Sequence, residues 1–355
     1  MNGNPSDVMV DWNLARRLAE QVAGSPPAVA LPGDLGARCD DAATRVAAYT
    51  KLTPATPLPA PEAVDRPTWL ELNLAGMQAT LDPVLERALS RTGAAAGAVR
   101  AVGGAVVGAE VGALSGYLAR RVLGQYELQL LDPDYPPRLL FVGPNLADAA
   151  RALEAELDEL LSWVAFHEVT HAVQFAGVQW LRPHIAGLLT ELLDTLELKV
   201  DLKAALKLPS MDDLKSLAEG LREGGLVNAV GGPERRAIVE RIQSVMALVE
   251  GHAEHVMDAV GRDVLPNLPA LRSAMNRRRA DRTPLVRFLE RLIGLDLKLA
   301  QYETGKAFCD VVVADGGIDR LNIAWSDPSL LPVAAELKDP QQWLARTRVP
   351  AVTPG

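Results

Sequence analysis

Five histidines occur in the 355 residues, and four of them fall in two tight clusters, His167 with His171 and His252 with His255. The first cluster reads Phe166-His167-Glu168-Val169-Thr170-His171, two imidazoles four residues apart with an acid between them. On a helix that spacing leaves the rings about 40° out of exact register, on one face, where both can bind one cation. Glu168 points about 100° away from His167 and reaches a water on the metal without being a ligand itself. The arrangement suits Zn2+, which lowers the pKa of its water toward neutrality and polarises a carbonyl. Glu168 would take the proton of that water and pass it to a leaving amine.

A catalytic zinc needs a third protein ligand. The second cluster offers it in the run Val249-Glu250-Gly251-His252-Ala253-Glu254-His255-Val256-Met257-Asp258. Glu250 and Glu254 share a helix face, with Asp258 another turn along, whereas His252 lies about 200° around from Glu250. Glu250 and His252 therefore cannot both serve one site from a regular helix. The economical arrangement takes His167, His171 and Glu250 as ligands, with Glu254 accepting the free N–H of one zinc histidine. Gly251 lets this helix pack close to the first. His252 and His255 each have two readings: a donor to one of the zinc-holding side chains and an oxyanion donor, respectively, or ordinary helix-packing rings. Tyr302 could place a phenol at the oxyanion, against a buried structural role. Trp163, four residues before His167, shares its face and reads as core.

The elements that must carry these residues are mostly helical. Trp12 to Gly24 has apolar residues at helical spacing and closes on a glycine, and a second helix contains Ala43 to Tyr49 between proline-rich loops, Ser25 to Pro32 and Thr53 to Pro67. Between Arg100 and Arg120 the only charge is Glu110, and Gly104, Gly108, Gly112 and Gly116 recur every fourth residue. A glycine stripe of that kind lets another backbone approach closely. A membrane span over 101–119 is the rival reading, but Glu110 near the midplane would cost about 3 kcal/mol. A buried helix in a soluble core is the expectation.

Two short strands follow, around Tyr126 to Leu130 and at Leu139 to Val142, the latter placed in the chain where a substrate-pairing edge strand would precede the metal helix. Asn145 reads as an N-cap with Asp148 at N3, opening one long helix or two reaching Gly177. A mixed amphipathic region, Ile185 to Leu226, ends at Gly231 and Gly232, and Pro233 then starts the helix that stops at Gly261. Arg277 to Arg279 reads as a solvated loop. After a helix from Pro284 to Tyr302 come a β-branched run, Ala307 to Ala314, and a Gly316-Gly317 turn.

Composition excludes whole classes. With 36 Lys+Arg against 45 Asp+Glu, a net charge of −9 and 48% hydrophobic residues, the chain is globular and lacks the basic face that nucleic-acid binding needs. Two cysteines, Cys39 and Cys309, exclude a disulfide scaffold and fit a reducing compartment. The first residues carry neither a basic nor an apolar signal region, so the expected location is cytoplasmic.

The run HEVTHAVQF, followed some eighty residues later by LVEGHAEHVMD, resembles the bacterial zincin-like metallopeptidase family. Its members carry the labels zinc-dependent metalloprotease and deazaflavin coenzyme biosynthesis-associated protein. The resemblance extends to the DWNLARRLA opening, the glycine-rich helix, QYEL before RLLFVGPN, NIAWSDPSLLP and DPQQW. It implies Zn2+ on His167, His171 and Glu250, Glu168 as general base, and a peptide or protein as substrate. The expected fold is mainly α (α+β), a zincin-like helical protein with a small β-sheet beside the HExxH helix. Residues 1–125 would form an N-terminal helical region and 126–355 the catalytic region, packed as one compact unit. The functional expectation is a zinc metallopeptidase of the glutamate-zincin type. The rival is a catalytically silent zincin fold that uses zinc for structure or partner binding, which a fourth protein ligand such as His255 or Asp258 would favour.

Overall fold

The computed structural model of the chain describes residues 10–89, 97–195, 233–280 and 296–348. In chain order the elements begin α1 (Trp12–Ala23), α2 (Leu35–Thr50), β1 (Pro61–Val64), α3 (Arg66–Leu89), α4 (Gly97–Ala119), β2 (Gly124–Glu127) and β3 (Arg138–Val142). They continue with α5 (Gly143–Leu153), α6 (Leu157–Gly177), α7 (Leu181–Asp194), α8 (Pro233–Gly261), α9 (Leu268–Ala280) and α10 (Asp296–Asn322). Two 3₁₀ turns, Ile323–Trp325 and Pro328–Leu330, precede α11 (Ala334–Lys338) and α12 (Pro340–Arg346). The architecture is mainly α with one small sheet, as expected. Two compact units emerge, Met1–Leu35 with Ala60–Leu161 and Leu193–Arg222, and Gly36–Pro59 with Ser162–Leu192 and Glu223–Gly355.

In the first unit the glycine stripe has a partner. α1 is capped by the Asp11 carboxylate, which accepts from the Leu14 amide, and ends at Gly24 with φ +65°. Its buried face is Trp12, Ala15, Ala19 and Ala23. A methyl group at Gly108, Gly112 or Gly116 would run into the carbonyls of Asp11, Ala15 and Ala19, so α4 and α1 meet backbone to backbone. The Asp11 amide donates to the Gly104 carbonyl at 2.9 Å at the start of that seam. Trp69, Leu70 and Leu74 of α3 join the same core with Leu140 and Val142. Among the described residues no helix is long and apolar enough to cross a membrane, which removes the span over 101–119.

The sheet has the order β1-β3-β2. β3 pairs in parallel with β1, Pro61 opposite Leu139, and antiparallel with β2, Gly124 opposite Phe141. Leu139 to Val142 is therefore the central strand, hydrogen-bonded on both sides, and not an edge open to a peptide. The strand that covers it, Pro61–Val64, lies in a stretch whose prolines read as loop. Proline is tolerated where it starts an edge strand.

Other expectations are corrected in detail. Asn145 is not an N-cap: α5 starts two residues earlier, with Pro144 in its first turn, and Val142 is the cap. Asn145 is instead fully buried, its amide donating to the carbonyls of Ala119 and Val122 and its oxygen accepting from Arg66 Nε at 2.7 Å. Of the two readings of the stretch to Gly177, one long helix or two, the structure shows two, broken where Glu154 turns left-handed at φ +53°. Ala307 to Ala314 is helical within α10, and the break falls at Gly316-Gly317, where Gly317 has φ +73°. Arg277 lies on α9 rather than in a loop. The stretch from residue 196 to Leu226, the Gly231-Gly232 pair and the first part of the Pro284 to Tyr302 helix lie outside the described residues.

Candidate metal centre

The second unit contains the two histidine clusters, one on α6 and one on α8. α6 is fixed in place by Leu161, Val164, Ala165, Val169, Ala172 and Val173, each under 4% exposed, so its polar ligands project from an otherwise apolar rod. His167 and His171 project together, their ring centroids 4.8 Å apart and their planes at 88°. Trp163 is buried core and stacks on His167 at 6.4 Å with only 9° between planes, which restricts that ring's rotation.

Across from them stands Glu250. Its Oε2 is 3.5 Å from His171 Nε2 and 3.7 Å from His167 Nε2. One ligand atom from each of the three lies within 4.8 Å of the others. A tetrahedral zinc with bonds of about 2.0–2.2 Å separates its ligand atoms by roughly 3.3–3.6 Å, which the two distances from Glu250 already approach. The donor set of two imidazole nitrogens and one carboxylate oxygen fits zinc. The electrostatics agree. Burial works to push the His171 imidazole down, yet the Glu250 carboxylate, with Glu168 adding to it, raises its pKa above the usual value. The site thus demands positive charge, from a proton or from a metal ion. Glu168 is buried, and its charge is felt at His171.

The helix that Gly251 admits is not α6. A methyl on Gly251 would strike the backbone of Gly305 in α10, and one on Gly305 would strike the Ala247 carbonyl. Glu254 does not hold a zinc histidine either. Its Oε2 accepts from Arg272 of α9 at 2.9 Å, while Nδ1 of both His167 and His171 is buried without a hydrogen-bond partner among the described residues. Asp258 pairs with the same Arg272 and, at 3.2 Å, with Lys306.

His255 is held on both sides, its Nε2 2.7 Å from the Tyr49 hydroxyl and its Nδ1 2.6 Å from Asp310 Oδ1. Lys306 binds the other oxygen of Asp310 at 2.7 Å. The contacts from His255 and Lys306 hold the Asp310 carboxyl below its ordinary pKa despite burial, and burial pushes the Tyr49 phenol up. Tyr49 and Asp310 were not singled out in the sequence. Tyr49 stands 206 residues from His255, and the one local signal was the spacing of Lys306 and Asp310 as an i,i+4 pair. His252 is fully buried and edge-on to Trp325 at 5.4 Å; burial first, then the charges of His255 and His171, push its pKa down to about 3. His184 stands apart, lining a separate cavity of about 450 Å³ with Arg241, Val245, Leu331 and Val333. The side chain of Tyr302 lies outside the described residues.

A family model described as zincin-like metallopeptidase matches residues 10–344. The chain is also similar to a crystal structure from Chloroflexus aurantiacus, of a protein proposed to be a hydrolase and described as having a novel fold. The two share 30% identity over 95% of this chain and 98% of that one, with a TM-score of 0.69. No curated protein matches the chain.

Proposed function

Because the chain belongs to the zincin-like metallopeptidase family, we propose that it is a zinc-dependent peptidase with His167, His171 and Glu250 as ligands and Glu168 as general base. The family and the similar hydrolase structure support a hydrolase. The observation that carries the catalytic reading is the number of protein ligands. His255 is engaged by Tyr49 and Asp310, and Asp258 by Arg272 and Lys306, so the two residues that would have closed the site with a fourth ligand are committed elsewhere. Three protein ligands with an open fourth position is the pattern of catalytic rather than structural zinc.

Zinc held there would supply a Lewis acid for a carbonyl and bring the pKa of a water down toward neutrality. Glu168 accepts the proton of the attacking water and delivers it to the nitrogen of the breaking amide bond, so the carboxylate is regenerated. Its burial favours this exchange by keeping bulk water from competing for the proton. Trp163 and the apolar residues of α6 hold the two imidazoles so that little reorganisation is left for the reaction. A peptide or protein is the proposed substrate, and no nucleic-acid role is proposed for so acidic a chain.

The test combines metal analysis of the purified protein with cleavage of a peptide library by wild type and Glu168→Gln. One equivalent of zinc in both proteins, with cleavage only by wild type, is the expected result. Zinc in both and cleavage by neither would favour a silent zincin scaffold. Absence of zinc from the wild type would overturn both readings.

A further inference from the structure

Tyr49, His255 and Asp310 stand in a line that the metal reading leaves unused. The Tyr49 hydroxyl is 2.7 Å from Nε2 of His255, and Nδ1 of the same ring is 2.6 Å from Asp310 Oδ1. A carboxylate only accepts, so Nδ1 carries the proton and donates it, which leaves the Nε2 lone pair to accept from the phenol. Lys306 binds the other Asp310 oxygen at 2.7 Å and so holds the carboxylate, and with it the tautomer. Hydroxyl, imidazole and carboxylate in that order are a nucleophile, its general base and the group that orients the base.

A clamp between α2 and its neighbours would use the same bonds, but α2 already has one. The Thr50 carbonyl accepts from Asn322 at 2.8 Å and Lys51 Nζ meets Asp319 at 2.5 Å, both partners on α10. Lys51 closes α2 at φ +58°, a value residues with a side chain rarely take, and its amide donates to the Ala47 carbonyl at 2.8 Å. The turn that carries Tyr49 is thus fixed without the phenol. Nor is the line sealed in the core: Tyr49 is half-buried and the Asp310 side chain is 46% exposed. Burial holds the phenol above its ordinary pKa, so a neighbouring base must take its proton, and Arg262, just past α8, adds a charge that favours the phenolate. The remaining charge beside the line is Asp258 of α8, paired with Lys306.

We propose that Tyr49 is the nucleophile of a second, metal-independent site that accepts acyl groups, with His255 as general base and Asp310 as positioning residue. The Tyr49 oxygen attacks the acyl carbon as its proton passes to Nε2 of His255. The bond to the leaving group breaks with its electron pair, and the imidazolium gives the proton to that group. Water then hydrolyses the O-acyl tyrosine by the same route and regenerates the phenol. The product sets the donor class. An O-acyl tyrosine is an aryl ester whose leaving group has a pKa of about 10, so it forms from donors whose leaving group is no more basic, such as thioesters, with a thiol of about 8.5. An amide, with its far more basic leaving amine, is not one of them, which separates this site from the proposed peptidase. The two thiols do not compete for the acyl group, since Cys39 and Cys309 are buried and burial pushes both up.

The probe is para-nitrophenyl acetate, an aryl ester; the purified protein is quenched with acid and the acetyl group mapped by mass spectrometry. Acetyl on Tyr49 is expected, formed about 100-fold faster than in His255→Gln and about 10-fold faster than in Asp310→Asn. The wild-type rate should level off by about pH 8, short of the phenol range near 10. No acetyl on Tyr49, equal rates in wild type and His255→Gln, or a rate still climbing towards about pH 10 would each overturn the proposal. Should the variants fail to fold, the wild-type acetyl map and pH profile decide. Release of nitrophenol by a zinc centre leaves no acetyl on Tyr49, so failure of the metal reading and failure of this one are told apart.

Discussion

Gly251 and Gly305 touch through their backbones, so that neither position has room for a methyl group. The contact lies one residue from Glu250 and sets how closely α8 lies against α10. Gly251→Ala must push the helices apart or tilt α8, and overpacking of this kind costs about 1–3 kcal/mol. Because Glu250 moves with α8, zinc affinity should fall more than stability does. A chelator titration beside a urea melt checks this; a stable variant with wild-type affinity would contradict it.

At the proposed site zinc and the proton would compete for His171. Burial lowers its pKa, but Glu250 and then Glu168 more than reverse that, so the folded value stands above 6.5. A group raised on folding stabilises the metal-free protein fully below its unfolded pKa and loses that contribution as pH rises through the folded one. Zinc binding, which needs the neutral imidazole, runs the other way. Stripping the metal should therefore cost little melting temperature near pH 6 and more near pH 8. Equal costs at both pH values would show that His171 is not the competing group.

How much of this was legible follows from where the information lies. His167 and His171 announce themselves because helix periodicity places them on one face from local spacing alone, Glu168 by its place between them and Glu250 by the acid- and histidine-rich run around it, and the structure brings the three proposed ligands together. The partner of Glu254 is Arg272 rather than a zinc histidine, and Arg272 sits on a helix whose position no local pattern encodes. Order in the chain alone puts β3 at an edge, and the strand that covers it, β1, begins with proline in a stretch that reads as loop, since proline marks loops more often than strands. The Ala307 to Ala314 run favoured extended structure by propensity, and tertiary packing overrode it: Phe308, Cys309 and Val312 are each fully buried on one face of α10. Tyr49 was invisible for want of any short-range relation to His255.

The glycine stripe makes a sharp prediction about the first unit. Gly112 faces the Ala15 backbone and tolerates no side chain, whereas Val106, on the same helix, is 54% exposed. Gly112→Val should destabilise by more than about 3 kcal/mol, since backbone cannot yield as a flexible side chain can. Val106→Ser should stay within about 0.5 kcal/mol. Thermal melts of the two variants check this, and a mild Gly112→Val would mean that α1 can leave α4 without loss.

The Tyr49–His255–Asp310 chain is testable without any substrate. Tyr49→Phe leaves Nε2 of a nearly buried His255 without its hydroxyl partner, and Asp310→Asn replaces a charged acceptor whose pKa is already held down by His255 and Lys306. Losing a neutral bond and stranding the nitrogen costs about 1 kcal/mol, and losing the charge-assisted one, screened because Asp310 is nearly half exposed, about 2 kcal/mol. The larger loss should belong to Asp310→Asn, and only there should it depend on pH. The depressed Asp310 pKa contributes stability above the unfolded carboxyl value, a contribution lost as pH falls through the folded one. Urea melts from about pH 7 down to about pH 3 should therefore show wild type and Asp310→Asn converging at the acid end, while Tyr49→Phe keeps its smaller deficit throughout. Parallel curves for wild type and Asp310→Asn would mean that the carboxylate does not carry the chain.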